Sequence, residues 1–469
     1  METQYDMVVW KAQAEQEERK RRRREFDPKD LSERYGKRLL QLLYPFVQML
    51  SQLNHLDPRP LRTLVQAVEA ILTFRDQSRG LLLSELGAQM DGVFGGGGGS
   101  RRLETLLHHK GWWAEQIEEG LLQRADERLE AWQQNEQEGL VIWDGTVAEK
   151  PESLEAEGLC AVKSSKAGRL TRVKKGYYRP PGIPIFVPGI HGIGVLLAGR
   201  NKRQGPPMLA ALRWWTSRGK AASHEKDEHG KLVVALHKRW GRAVLHVFDR
   251  GYATAFWVAL LCRLTARFVL RWKGRNCLLN AEGESLPAWK IAQGKKGLAP
   301  RCLWDAVRRQ NVTGSVLFFA VSHPDLPGVP LTLVVGRRKG LDPWYLLTNE
   351  AVSNEHEAWD VVLAYARRWR IEVTFRNLKG EMAIQSVRVF AWQTRLKLLS
   401  LMSLAYAFLM ELLGEPEKRE REWLIEVVCP RSGWRMKHVE LPFSRLRASL
   451  AKLWQAFPCW FVRRGALAF

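Results

Sequence analysis

The chain has 469 residues, a length that allows two to four domains with a substantial buried core. Hydrophobic residues make up 45% of the chain, which excludes an intrinsically disordered protein. Lysine and arginine number 73 against 50 acidic residues, which gives a net charge of +23. A folded chain with this excess either binds a polyanionic partner or is destabilised by repulsion between its own charges. Nucleic acid is the first candidate, and an anionic membrane surface is the second.

The sequence predicts a protein that does not insert into a membrane and that resides in a reducing compartment. The longest apolar stretch, Leu398 to Leu413, is interrupted by Ser400, Ser403 and Glu411, and it is shorter than the roughly 20 residues of a membrane span. The N-terminus lacks a basic start followed by an apolar segment of signal-peptide length. Six cysteines are scattered without a C-x-x-C pair, which favours reduced thiols in the cytoplasm over a zinc ribbon or a disulfide scaffold.

The N-terminal part of the chain is predicted to be helical. Its first 25 residues end in a basic run, Arg19–Arg24, which is compatible with a solvated tail and with an arm that contacts phosphates. Apolar residues recur at helical spacing over 30–92, and the helical pattern returns over 101–135. The glycine run between them predicts a flexible linker over 95–100.

The pattern changes after residue 138, where alternating strands and helices begin. The apolar run Leu140–Trp143 predicts a buried strand that ends at Asp144, in a turn with Gly145 and Thr146. A second such run, Ala243–Phe248, ends at Asp249. Strands are also predicted near 158–164 and 183–198, and a helix is predicted over Ala253–Leu264. The segment 139–265 therefore has α/β character.

Residues 266–350 are predicted to form a β-rich insertion. Its short apolar runs, separated by turns rich in glycine, proline and lysine, are Phe268–Trp272, Val316–Val321, Leu331–Val335 and Trp344–Leu347. A strong helix is predicted from Glu355 to about Lys379, and another over 394–413. The remainder of the chain is mixed and basic.

The positive charge is concentrated in one stretch. Between Gly158 and His224 there are thirteen lysines and arginines and no acidic residue. This depletion favours a surface that faces polyphosphate, although a merely basic face remains an alternative. The aromatic residues within the stretch could stack on exposed bases or pack in a core; they are Tyr177, Tyr178, Trp214 and Trp215.

Three acidic residues are candidates for a metal site. Phosphodiester chemistry needs an activated nucleophile and a stabilised leaving oxygen, and two Mg²⁺ ions held by converging carboxylates supply both. Asp144 and Asp249 each follow an apolar strand, although either alone is compatible with a turn former. At about 100° per residue, Glu372 falls within an arc of about 60° on one predicted helix with Tyr365, Arg368 and Lys379. Ion pairs between neighbouring turns on the surface of a helix would place these four residues along the same stripe of the helix.

The spacing Tyr365-x2-Arg368-x3-Glu372-x6-Lys379 resembles the Y-R-E-K signature of bacterial insertion-sequence DDE transposases. The order of the chain is similar as well: a strand ending in Asp-Gly-Thr, a strand ending in Asp-Arg, a β-rich insert, and then the glutamate helix. The resemblance is to the cut-and-paste subgroup that includes the enzymes of composite transposons, and it covers roughly 100–415.

This resemblance implies an RNase H-like catalytic core in which Asp144, Asp249 and Glu372 bind two Mg²⁺ ions, with Mn²⁺ as a substitute. The 123 residues between Asp249 and Glu372 agree with an inserted β domain. In the family, the tyrosine, arginine and lysine of the signature contact transposon-end DNA near the cleavage site. Those roles carry over to Tyr365, Arg368 and Lys379, and Arg376 of the same predicted helix is assigned to DNA with them.

One further role follows from the resemblance. Relatives hold a flipped base against a tryptophan of the insert, in a Trp-x-Leu-Leu-Thr context that Trp344–Thr348 matches. Trp344 is therefore expected to contact a flipped base during hairpin formation, and the alternative is a strand tryptophan packed in the insert's core.

Together these features predict an α/β protein with an interrupted RNase H-like core. The predicted regions are a helical DNA-end-binding region over 1–135, core segments over 136–265 and 351–415, the β-rich insertion over 266–350, and a helical C-terminal region over 416–469. The predicted function is DNA transposition: a homodimer binds terminal inverted repeats, cleaves them through a hairpin intermediate, and transfers the strand into target DNA. A prokaryotic, nucleoid-associated cytoplasmic location follows. The alternatives are a domesticated or inactive transposase that only binds DNA, and an RNase H-like structure-specific nuclease.

Overall fold

The computed structural model describes residues 25–74, 82–91, 97–150, 153, 155–164, 184–305, 310–414, 416–429 and 441–459. The basic run Arg19–Arg24 therefore lies outside the described residues, as do Tyr177, Tyr178 and six of the thirteen basic residues between 158 and 224. By their internal contacts the described residues divide into two compact units. The first comprises Met1–Gly120, Ala148–Leu159 and Arg376–Phe469, and the second comprises Leu121–Val147 and Cys160–Phe375.

The helices and strands follow one another along the chain. The helices are α1 (Pro28–Asn54), α2 (Pro58–Phe74), α3 (Leu83–Asp91), α4 (Gly99–His108), α5 (Ala114–Gln133), α6 (Glu225–Trp240), α7 (Ala255–Arg263), α8 (Ala288–Ile291), α9 (Glu355–Ala366), α10 (Trp369–Gly380), α11 (Trp392–Glu411), α12 (Lys418–Val428) and α13 (Phe443–Ala456). The strands are β1 (Gly139–Glu149), β2 (Cys160–Lys163), β3 (Phe186–Gly199), β4 (Met208–Trp215), β5 (Val244–Phe248), β6 (Arg267–Trp272), β7 (Cys277–Leu279), β8 (Ser285–Pro287), β9 (Leu298–Asp305), β10 (Gln310–His323), β11 (Leu326–Arg338) and β12 (Leu341–Thr348).

The first unit is helical, and α2 packs against both α11 and α13. Its helices bury apolar faces, with Leu64, Leu404 and Leu450 almost completely inaccessible to solvent. Buried cations bind backbone carbonyls: Arg395 donates to the carbonyl oxygens of Val389, Phe390 and Glu157. These hydrogen bonds satisfy a buried charge, so Arg395 serves the packing of this unit.

The second unit is built on a twelve-stranded mixed sheet. The strand order is β2-β3-β1-β5-β6-β12-β11-β10-β7-β8, with β4 paired to β3 and β9 paired to β10. Strands β1, β5 and β6 are parallel neighbours, and β12 joins β6 in antiparallel fashion. The strands of the predicted insertion therefore continue the same sheet, and the predicted α/β class is confirmed.

The sheet carries different helices on its two faces. Alternate strand residues such as Trp143, Phe248 and Leu270 share one apolar cluster with residues of α5, α6 and α7. The opposite face is covered by α9 and the start of α10, because Gly336 of β11 lies against Val362 and Gly194 of β3 lies against Phe375. Side chains alternate between faces along a strand, so each residue can be assigned to a face from this register.

Several sequence predictions are confirmed at the level of elements. The helical N-terminal segment, the strands at Ala243–Phe248 and Phe268–Trp272, and the helix after Asp249 all form. All six cysteines are free thiols. Among the residues that the structure describes, no helix has the length and apolarity to cross a bilayer.

Other predictions are wrong at particular residues. Gly99 and Ser100, assigned to the flexible linker, begin α4, because the Gly99 N–H donates to Asp91 and a Cβ at Gly99 would collide with the carbonyl of Gly87. For Trp214 and Trp215 the sequence left stacking on bases and packing in a core open; both are buried in β4, so they pack. Strand β4 and helix α6 were not predicted.

Candidate active site

Asp144 lies within β1, not at its end. The strand continues to Glu149, so the turn predicted at Asp144 is wrong. Its neighbour Trp143 is completely buried, and the Trp143 indole N–H donates to Nδ1 of His246 on β5 at 3.0 Å. This bond joins the two strands one residue before the carboxylate, and it fixes the strand segment that presents Asp144.

Asp249 follows the last residue of β5 and begins a short 3₁₀ turn over Arg250–Tyr252. Its Oδ1 accepts a hydrogen bond of 2.6 Å from the Gly251 N–H. The turn ends at Tyr252, a buried residue whose hydroxyl is hydrogen-bonded to Nδ1 of His229 at 2.6 Å. The capping role of Asp249 and the anchored Tyr252 hold this carboxylate close to the sheet.

The register of the sheet brings Asp144 and Asp249 to one face. Ile142 pairs with Val247 in the parallel ladder, and each aspartate lies two residues beyond its member of that pair. Directly paired parallel residues point to the same face, so both carboxylates share the face that carries α9 and α10. Burial, together with the charges of Asp249 and Glu372, raises the pKa of Asp144 to about 7, although Arg368 acts in the opposite direction.

Glu372 reaches this face from α10. The residues on either side of it along the helix, Ile371 and Phe375, are buried, and both lie close to Gly194 on β3. A Cβ at Gly194 would come within 2.6 Å of the Phe375 ring. The glycine therefore sets how closely the glutamate helix approaches the sheet.

The helix predicted from Glu355 to Lys379 is broken in the middle. Helix α9 ends at Ala366 and α10 begins at Trp369. Across the break, the N–H groups of Arg368 and Ile371 donate to carbonyls only three residues back, at 2.9 and 3.1 Å. The residues of the stripe therefore do not share one regular helix, and Arg368 occupies the connection.

Arg368 binds two of the candidate carboxylates at once. Its Nη1 lies 3.3 Å from Oδ2 of Asp144, and its Nη2 donates to Oε1 of Glu372. The side chain is 14% exposed, against 20% for Asp144 and 32% for Glu372. Burial disfavours the charge on Arg368, but Tyr365 and the two carboxylates outweigh it and hold its pKa above the usual range.

Aromatic and cationic side chains extend from Arg368 along the sheet. The guanidinium of Arg368 lies 5.9 Å from the Tyr365 ring, which meets Trp344 edge to face at 5.0 Å. Arg338 lies 4.3 Å from the Trp344 ring, and Arg271 lies 6.0 Å from both rings. Tyr365 is buried, whereas Trp344 is partly exposed. The predicted residues Trp344, Tyr365 and Arg368 are thus brought together.

Arg376 and Lys379 lie further along α10, in the part that belongs to the first unit. Arg376 is exposed and Lys379 is partly buried. Their roles in DNA binding stay a prediction from the resemblance.

Comparisons with known proteins found a family model and a solved structure that are similar to this chain. Residues 217–408 match the family model of the transposase DDE domain. The match includes Asp249, Trp344, Arg368 and Glu372, and it begins after Asp144. A cryo-EM structure of a piggyBac transposase synaptic complex with hairpin DNA matches over 95% of this chain and 83% of that chain, with 10% identity and a TM-score of 0.42. No curated protein matches the sequence.

The donor set suits a hard divalent cation. Asp144, Asp249 and Glu372 offer only carboxylate oxygens, which Mg²⁺ prefers. Burial is the main cause of the raised pKa of Asp144, and the charges of Asp249 and Glu372 add to it; a bound cation would offset both effects. Within the described ranges, no three of the His, Cys, Asp and Glu side chains are gathered as a ligand group. In this structure the guanidinium of Arg368 lies between two of the three carboxylates.

Sequence reasoning missed three residues around the site. Arg271 is the one charged residue within the predicted strand Phe268–Trp272, and this interruption of an apolar run was an available signal. Arg338 reaches Trp344 only because β11 and β12 pair, and His229 reaches Tyr252 only because α6 packs on the sheet. Neither contact has a local sequence signal.

Proposed function

We propose that this chain is a DNA transposase that binds terminal inverted repeats and cuts and joins DNA by metal-dependent phosphoryl transfer. The observation that carries the proposal is that Asp144 and Asp249 lie on the same face of the sheet. Arg368 contacts both Asp144 and Glu372, so it joins the third carboxylate to the first two. The family match over 217–408 supports the same reaction class. The excess of 23 positive charges suits a DNA partner.

The proposed RNase H-like core comprises β4, β3, β1, β5 and β6, which form one end of the sheet. Support comes from the parallel β1–β5–β6 ladder, which brings two aspartates to one face, and from α10, which supplies the glutamate. The strands after β6 would then be the β-rich insertion, hydrogen-bonded to the core through β12.

Each side chain has a proposed role in this reaction. Asp144, Asp249 and Glu372 would hold two divalent ions, which when bound activate the attacking water and stabilise the leaving oxygen. Arg368 is close enough to bind the scissile phosphate, since arginine pairs with phosphate in the same geometry as with carboxylate. Arg376, Lys379 and Tyr365 would contact transposon-end DNA.

Trp344 is proposed to hold a flipped base. Support comes from its partial exposure and from the cations beside its ring, because an aromatic face flanked by arginines suits a base with its phosphate. The freed 3′-hydroxyl would attack the opposite strand to give a hairpin, and after reopening it would attack target DNA. A homodimer would hold the two ends, at the nucleoid of a prokaryotic cell.

The test is cleavage of DNA that carries the inverted repeats flanking the gene. Wild type with Mg²⁺ should release linear element with hairpin ends. Asp144→Ala, Asp249→Ala and Glu372→Gln should bind ends and make no nick. Asp325→Ala removes an exposed carboxylate of the same unit and should cut normally. Nicking by Glu372→Gln would overturn the assignment, and cleavage by wild type without strand transfer would indicate a nuclease.

A further inference from the structure

The Arg368 guanidinium lies between Asp144 and Glu372, where a cation would be bound. Its two terminal nitrogens contact one carboxylate each. Arg368 and Asp144 are mostly buried, so their ion pair is screened less than one on the open surface. In this arrangement the single positive charge of Arg368 offsets part of the negative charge of the two carboxylates without any metal ion.

We propose that Arg368 is an internal counter-ion that competes with divalent cations for Asp144 and Glu372 until a DNA-end phosphate draws its guanidinium away. This inference rests on the proposed function, because it assumes that DNA and metal meet at these carboxylates. It makes Arg368 a positioning residue for metal binding as well as a ligand for DNA.

The competition follows from charge. The guanidinium occupies one oxygen of each carboxylate, Oδ2 of Asp144 and Oε1 of Glu372, and it repels an approaching divalent ion. A backbone phosphate has two non-bridging oxygens that can accept a pair of hydrogen bonds from a guanidinium, as a carboxylate does, so it can take over Arg368 without loss of hydrogen bonds. Once Arg368 has moved, Asp144 and Glu372 carry uncompensated charge next to Asp249, and their affinity for a cation rises.

Binding of metal and of DNA should therefore be coupled. If DNA raises the affinity for metal, linkage requires that metal raises the affinity for DNA by the same factor. The position of Arg368 at the break between α9 and α10 suits this exchange, because its side chain can leave the pair without disturbing a regular helix.

The experiment measures Mn²⁺ binding by electron paramagnetic resonance in wild type and in Arg368→Gln, with and without inverted-repeat DNA. The same measurement on Glu372→Gln gives the background, which is the Mn²⁺ bound at other sites of the protein and by the DNA itself. Without DNA, Arg368→Gln should bind Mn²⁺ at least threefold more tightly than wild type. With DNA, wild type should gain affinity and the difference should shrink.

A matched variant separates the effect of the Arg368 contacts from the effect of removing any positive charge near the site. Arg250→Gln removes an exposed arginine one residue after Asp249, and it should leave Mn²⁺ affinity close to that of wild type. Equal gains in Arg250→Gln and Arg368→Gln would overturn the proposal, as would weaker Mn²⁺ binding by folded Arg368→Gln. If Arg368→Gln does not fold, an unchanged Mn²⁺ affinity of wild type on adding DNA would overturn it.

Failure of this inference is distinguishable from failure of the proposed function. If wild type cuts its DNA ends but shows no DNA-dependent gain in Mn²⁺ affinity, only the counter-ion role is lost. If wild type neither cuts the ends nor binds Mn²⁺ above the Glu372→Gln background, the proposed function is lost as well.

Discussion

Asp144 and Asp249 repel each other across two hydrogen-bonded strands. Burial and this repulsion raise the pKa of Asp144 to about 7, whereas an unfolded chain would keep it near 4. The protonated carboxyl therefore stabilises the fold fully below about pH 4, and this contribution is lost as pH rises through about 7.

The first prediction uses this pH dependence. In EDTA, the denaturant midpoint of wild type should fall relative to that of Asp144→Asn between about pH 4 and 7 and then level off, because only in this range does the folded chain keep a proton that the unfolded chain has lost. Asp325→Asn, which alters an exposed carboxylate, should follow wild type. Parallel curves for wild type and Asp144→Asn would contradict the raised pKa.

The second prediction concerns the approach of α10 to the sheet. Gly194→Ala places a methyl group within 2.6 Å of the Phe375 ring and should lower the free energy of unfolding by about 1–3 kcal/mol. It should also displace Glu372 and reduce end cleavage more than end binding. Gly230→Ala, in α6 with nothing within 4 Å of the added group, is the control and should stabilise slightly. Equal effects of the two substitutions would refute the packing argument.

The third prediction concerns the turn that holds Asp249. Tyr252→Phe removes the hydroxyl bonded to His229 and leaves a buried ring nitrogen without that partner, so stability should drop by about 1–3 kcal/mol. Tyr35→Phe is the matched control, because the Tyr35 hydroxyl is buried and has no hydrogen-bond partner among the described residues, and it should be neutral or stabilising. Thermal unfolding of both variants decides the point. Comparable losses of stability in the two variants would show that the hydrogen bond between Tyr252 and His229 does not stabilise the fold.

The fourth prediction concerns Trp344. Trp344→Ala should reduce hairpin formation about tenfold while the first nick stays near wild-type rate, because base stacking on an aromatic ring contributes about 1–3 kcal/mol. A 2-aminopurine near the DNA end should lose its fluorescence change in this variant. Trp289→Ala, at an exposed tryptophan of the same unit, should change neither readout. Normal hairpins from Trp344→Ala would assign the residue to packing.

The sequence was most informative where local pattern decides structure. Apolar runs followed by aspartate located β1 and β5, because a buried parallel strand needs continuous apolar residues. The same pattern placed Asp144 at a turn, and this was wrong because β1 continues on pairing with a distant strand, β3. Pairing between distant segments leaves no local signal.

The break before α10 could not be predicted for the same reason. Periodicity across Tyr365, Arg368 and Glu372 is that of a continuous helix, and no proline or glycine interrupts it. In the structure, the Arg367 side chain donates to the carbonyl oxygen of Arg200 at 3.0 and 3.2 Å, which ties the break to the loop after β3. Such a tertiary contact overrides local helix preference.

The continuous sheet fixes the distance between Trp344 and Asp249. Trp344 belongs to β12, two strands from β5, and lies two residues along from the position opposite Asp249. Standard strand spacings place their Cα atoms on the order of 12 Å apart. Because this separation is maintained by backbone hydrogen bonds and not by a hinge, a base at Trp344 would keep a constant offset from the phosphate being cut. The position of the cut, counted in nucleotides from the flipped base, would then be a property of the sheet.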